Sequence, residues 1–106
     1  MKHFWEQSPE WQRKQELGAD LDAAKRTRDD AGDRILSCVL HDAVAPDGDY
    51  WRGCRQAYQD AYAEWWEASD AWMAARAAFQ ASPAGQAYAR YLKDPLAVRA
   101  AESEVA

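Results

Sequence analysis

At 106 residues and 12.0 kDa, the chain is long enough to bury one core and too short to hold a second, so residues 1–106 are read as a single helical domain. A formal charge of -5 and a pI near 4.9 exclude broad attraction to phosphate backbones or anionic lipid and favour contact with other proteins. No run approaches the roughly 18 apolar residues of a membrane span, and Met1 to Trp11 has neither a basic start followed by an apolar stretch nor a small-residue cleavage site, so no membrane association and a cytoplasmic location are expected.

Ser8-Pro9 opens the first helix, because serine is a good N-cap and the missing proline N–H has no helical partner to lose. Leu17, Leu21, Ala24, Ala31, Ile35 and Cys38 then follow at helical spacing, and the pattern runs out near Ala43 to Ala45. Pro46-Asp47-Gly48 is the strongest turn signal in the chain. Asp49 is placed to cap a second helix, and Gly53, which costs about 1 kcal/mol relative to alanine, sets the expected start of its regular part just beyond itself. That helix carries a seven-residue repeat of large rings, Trp51, Tyr58, Trp65, Trp72 and Phe79, with a file of small residues, Cys54, Ala61, Ala68 and Ala75, three positions behind the first four. Such a repeat is the signature of one helix pressed along another. Ser82-Pro83 opens a third helical segment, and Asp94-Pro95 is expected to divide the remainder into two short helices and a frayed tail.

If the proline turn centres a helical hairpin, Cys38 faces Cys54, Ala31 faces Ala61, Ala24 faces Ala68 and Leu17 faces Ala75. The neighbouring file then pairs Ile35 with Tyr58, Arg28 with Trp65 and Leu21 with Trp72. Arg28 interrupts an apolar file, and its guanidinium is expected on the face of Trp65, reaching Glu64. Tyr62, Trp66 and Met73 project from a different face, for which the N-terminal Phe4, Trp5 and Trp11 and the C-terminal Tyr88, Tyr91, Leu92 and Leu96 are the candidate cover. The expected fold is therefore all-α: a long antiparallel helical hairpin with a heptad seam, covered by C-terminal short helices as a three- or four-helix bundle. Most of the aromatic residues read as core, and the sharper alternative makes Trp66 and its neighbours an exposed anchor for a partner.

Cys38, His41 and Cys54 are the residues with metal-ligand chemistry, with Asp42 or His3 as a fourth donor. A disulfide across the turn is the rival reading, and two free thiols in a reducing compartment is the leading one. No glycine-rich phosphate loop, no H-E-x-x-H and no nucleophile with a base is present, and the paired carboxylates Asp29-Asp30 and Glu64 with Glu67 lie on helix surfaces, so neither catalysis nor a cofactor is expected. Arg13, Lys14, Lys25, Arg26 and Arg28 make a basic group that, with aromatics, suits single-stranded nucleic acid, but Asp20, Asp22, Asp29, Asp30 and Asp33 are interleaved with it. On the second helix Asp60, Glu64, Glu67 and Asp70, beside Tyr62 and Trp66, form an acidic strip suited to a basic groove on a partner protein.

Two resemblances follow. Trp51-Arg52-Gly53, just after the turn of a roughly hundred-residue hairpin, resembles the W-x-G signature of the small WXG100 secretion substrates. The chain departs from that family's C-terminal Y-x-x-x-D/E, since Leu92 follows Tyr88 and Pro95 follows Tyr91 at that spacing. In character, as a compact, acidic, helical chain rich in alanine and tryptophan, it is similar to the small inhibitors that phages carry against bacterial immunity, including anti-CRISPR proteins. That resemblance implies a stoichiometric inhibitor whose partner is a CRISPR-Cas effector, its nuclease or its nucleic acid, and it is the leading expectation. The WXG100-like secreted hairpin and the single-strand binder are the alternatives.

Overall fold

A computed structural model describes residues 3–41 and 48–96, with the side chains of residues 39–41 outside that description. A short 3-10 helix (Phe4–Gln7) is followed by α1 (Pro9–His41), α2 (Asp49–Ala81) and α3 (Pro83–Lys93), and there is no strand among the described residues. The proline turn at residues 46 and 47 lies outside the described residues, as do Asp42 and the segment beyond Leu96.

Both Ser-Pro pairs act as expected. The Ser8 hydroxyl accepts from the Trp11 N–H at 3.1 Å and the Ser82 hydroxyl from the Gly85 N–H at 3.1 Å, each satisfying a donor that has no partner inside its helix. Ser82 also ends α2: its N–H donates to the carbonyls of Ala78 and Phe79, and its hydroxyl donates to the Phe79 carbonyl at 2.6 Å. One residue thus closes one helix and opens the next. At the start of α2 the structure differs from expectation. Asp49 is the first helical residue, the Gly48 carbonyl takes the Arg52 N–H at 3.0 Å, and the Asp49 carboxylate holds the Arg52 guanidinium at 3.0 Å. The helix also runs unbroken through Gly53, because the propensity cost of one glycine is small against the cooperativity of a long helix.

The chain divides into two compact units, Met1–Gly18 with Ala71–Ala106, and Ala19–Asp70. The first is organised by rings. Trp5 is buried, with His3 stacked on it at 4.3 Å and Phe4, Tyr88 and Tyr91 around it at centroid distances of 4.8–5.1 Å. Phe79, also buried, meets Trp11 at 5.2 Å and Tyr88 at 5.9 Å. The second unit is organised by small residues: Ala31 and Ala61 are buried, and a Cβ at Gly32 would touch the Tyr58 ring at 3.5 Å.

Within the first unit the terminal aromatics cover one another and leave Met73 uncovered. Trp5, Trp11, Tyr88 and Tyr91 pack on one another and on Phe79, as rings with complementary faces and edges do. Leu92 and Leu96 remain exposed, and so do Tyr62, Trp66 and Met73.

Candidate interaction surface

Within residues 19–70, α2 presents a ladder of rings. Tyr58 lies 5.9 Å from Tyr62, Tyr62 lies 5.8 Å from Trp65 and 6.2 Å from Trp66, and Trp65 meets Trp66 edge-on at 4.9 Å. The heptad rings Tyr58 and Trp65 are half-buried, whereas Tyr62 is 40% and Trp66 49% exposed. Behind them the Arg28 guanidinium sits 4.4 Å from the centre of the Trp65 ring, as the sequence suggests, but its ion pair is with the adjacent Asp29, at 3.1 Å, rather than with Glu64. A carboxylate on the neighbouring residue of the same helix needs less side-chain ordering than one across the interface.

At about 100° per residue, Tyr62 lies about 40° to one side of Trp66, and Asp70, Glu67, Asp60 and Glu64 follow on the other side at about 40°, 100°, 120° and 160°. Asp70 therefore flanks the aromatic pair on the side away from the heptad rings, Glu67 and Asp60 lie further round the helix, and Glu64 stands nearly opposite Trp66. Asp60 accepts from the Gln56 amide at 2.8 Å, while no cation among the described residues pairs with Glu64, Glu67 or Asp70. All four carboxylates of the row are exposed.

The basic residues are differently placed. In the first unit Arg13 pairs with Glu16 at 3.8 Å, and the Lys14 ammonium lies 4.3 Å from the Trp11 ring centre and 5.5 Å from that of Phe79. Partial burial, and then the nearby Arg76, lower the Lys14 pKa. In the second unit Arg28 is committed to Trp65 and Asp29, which leaves Lys25 and Arg26 as the exposed cations of the group.

The two cysteines are free and half-buried, and Cys54 lies near enough to Cys38 and to Tyr50 to shift the titration of both. Desolvation, followed by the charge and hydrogen bond of Cys54, raises the Cys38 pKa, and Tyr50 is raised chiefly by Cys54, with Arg34 opposing. The side chain of His41 and all of Asp42 lie outside the described residues, and His3 is occupied in stacking on Trp5. Among the described residues no group of three potential ligands forms. An open groove of about 420 Å³ is lined by Glu6, Trp11, Gln12, Gln15 and Glu16, but its carboxylates are already used: Glu6 accepts from the His3 N–H at 2.9 Å and Glu16 pairs with Arg13.

Sequence reasoning missed the glycines. A Cβ at Gly18 would meet the Trp72 indole at 3.3 Å, so Gly18 and Gly32 are places where a ring lies almost on the α1 backbone. Their spacing of two heptads was the available signal. No helix among the described residues is long and apolar enough to cross a membrane. Comparison with known protein families, with curated proteins and with solved structures finds no match to this chain.

Proposed function

We propose that this chain is a non-catalytic binding protein that acts by occupying a partner's surface through Tyr62 and Trp66 and the flanking row Asp60, Glu64, Glu67 and Asp70. The observation that carries the reading is the half-exposed Trp66 with Asp70 one turn away, a carboxylate with which no cation among the described residues pairs. Covering the remaining half of a tryptophan that buries 150–250 Å² when fully enclosed is worth about 2–3 kcal/mol at about 25 cal/mol/Å², the size of a binding hot spot. The finer architecture we propose is an antiparallel α1–α2 hairpin completed as a three- or four-helix bundle. Supporting it, contact partners fall along α2 as they rise along α1 in each unit: Arg28 with Trp65, Gly32 with Tyr58 and Cys38 with Cys54 in one, Trp11 with Phe79 and Gly18 with Trp72 in the other.

The specific form we propose is an anti-CRISPR-type inhibitor working in the cytoplasm, which needs an interaction surface and no catalytic residues. The single-strand alternative has less support, since Lys14 and Arg28 are engaged with aromatic faces. The test is target cleavage by a panel of purified CRISPR effectors at near-equimolar protein, with wild type, Trp66→Ala and Glu64→Lys/Glu67→Lys compared after circular dichroism has shown equal helicity. Inhibition by wild type that weakens at least about thirtyfold in Trp66→Ala, as a loss of about 2–3 kcal/mol requires, supports the proposal. Absence of inhibition across the panel overturns the CRISPR assignment. Inhibition indifferent to both variants overturns the assigned surface, and export that depends on Trp51 and the C-terminal tail would favour the secreted-hairpin reading instead.

A further inference from the structure

We infer that Cys38 and Cys54 form a reversible intramolecular disulfide by exchange with a low-molecular-weight disulfide such as oxidised glutathione, making a covalent clasp between the last turns of α1 and the first turns of α2. Three observations on residues 19–70 carry this. The register that sets Arg28 on Trp65 and brings a Cβ at Gly32 to 3.5 Å from the Tyr58 ring continues to Cys38 opposite Cys54, and the two thiols are near enough for Cys54 to shift the titration of Cys38. They also occupy the next heptad step of the file in which Ala31 and Ala61 are buried, where small side chains let the backbones approach. Finally, both are half-exposed, so a small disulfide can reach them.

The chemistry balances without any metal. Cys54, as thiolate, attacks one sulfur of the small disulfide; its S–S bond breaks, and one small thiolate leaves and takes up a proton. Cys38, as thiolate, then attacks the Cys54 sulfur of the mixed disulfide and expels the second small thiol. Two protein thiols are oxidised and one small disulfide is reduced to two thiols, and excess small thiol reverses both steps.

The full-length chain is equilibrated in mixtures of oxidised and reduced glutathione, folded and in urea, then acid-quenched, alkylated and weighed by intact mass spectrometry. The expected product of the folded chain is a monomer lacking both alkylatable thiols and carrying no glutathione. Its equilibrium yield should correspond to an effective thiol concentration at least about tenfold above that of the unfolded chain, since the fold holds the pair together. Cys38→Ser and Cys54→Ser should each take up one glutathione and form no internal product. Mixed disulfides as the main species, disulfide-linked dimers at micromolar protein, or equal yields folded and unfolded would each overturn the inference.

Discussion

Gly85→Ala should destabilise the chain although alanine is the better helix former. A Cβ built on Gly85 overlaps the Phe79 carbonyl oxygen, and it lies 2.6 Å from the Phe79 carbonyl carbon and 2.9 Å from the Gln80 Cα. All three are backbone atoms of the last turn of α2, so no side-chain rotation relieves the contact. The residue is buried, and its N–H is the one that the Ser82 hydroxyl caps. Moving α3 away to admit the methyl group therefore stretches the cap as well. Forced backbone shifts cost about 1–3 kcal/mol and a lost N-cap about 1 kcal/mol, against a gain of about 1 kcal/mol in helix propensity. The net expectation is a loss of about 1–3 kcal/mol. Urea denaturation followed by far-ultraviolet circular dichroism measures it, and tryptophan fluorescence reports on Trp5, whose contacts with Tyr88 and Tyr91 of α3 would loosen first. A Gly85→Ala protein within about 0.5 kcal/mol of wild type, with Trp5 emission unchanged, would refute the close approach of α3 to the α2 backbone.

The opposite result is expected at Gly53, where an added Cβ meets nothing within 4 Å in the middle of a helical turn: Gly53→Ala should raise stability by about 0.5–1 kcal/mol, read from the same denaturation curves. For Arg28, a double-mutant cycle of Arg28→Lys with Trp65→Leu should give a coupling of about 0.5–1 kcal/mol, because lysine loses the planar stack; zero coupling would remove the cation–π contact from the account. Under reducing conditions stability should fall as pH rises above 9. Cys38 and Tyr50 are held above their ordinary values of 9.0 and 10.0, so the folded chain keeps protons that the unfolded chain releases, and the stability they contribute below pH 9 is lost as pH passes their folded values. Lys14, lowered from 10.5, opposes this in the window just below that value. Cys54→Ser, which removes a neighbour that raises both groups, should flatten the decline in pH-dependent urea titrations, and an unchanged slope would contradict the closeness of Cys54 to Cys38 and Tyr50.

Local chemistry was readable wherever it was local. The Ser-Pro pairs announce two helix starts because capping involves residues three apart in sequence, and the aromatic heptad announces the buried side of α2 because periodicity maps directly onto a face. Arg28 on Trp65 followed from the same register. What stayed hidden depends on atoms that are not there or on partners far along the chain. Gly85 looks like a weak point of α3 until the Phe79 carbonyl is seen where its side chain would be. The apolar stripe of Tyr88 and Tyr91 showed that α3 has a buried face, but not that Trp5 and His3 would fill it while Leu92 stayed in solvent. For the interaction surface, the residue types of Tyr62, Trp66 and the acidic strip were visible. Their exposure was not, since a one-dimensional pattern counts faces and cannot say which of them finds cover.

Charge and aromaticity together narrow the chemistry that can answer Trp66. Among the described residues three cations lie over rings of the chain, Lys14 on Trp11, Arg28 on Trp65 and Arg76 on Trp72. These pairings place positive charge against ring faces, and no cation among the described residues pairs with Glu64, Glu67 or Asp70. The Tyr62–Trp66 face thus offers to a partner what Trp65 already receives from Arg28: a ring face with a carboxylate to one side. A guanidinium satisfies both at once, stacking on the indole while its planar N–H groups bond the carboxylate, whereas an ammonium must choose between them. Under the proposed function, an arginine-bearing protein surface is the complement this face would take, and a phosphate backbone approaching the same face would meet the carboxylates first.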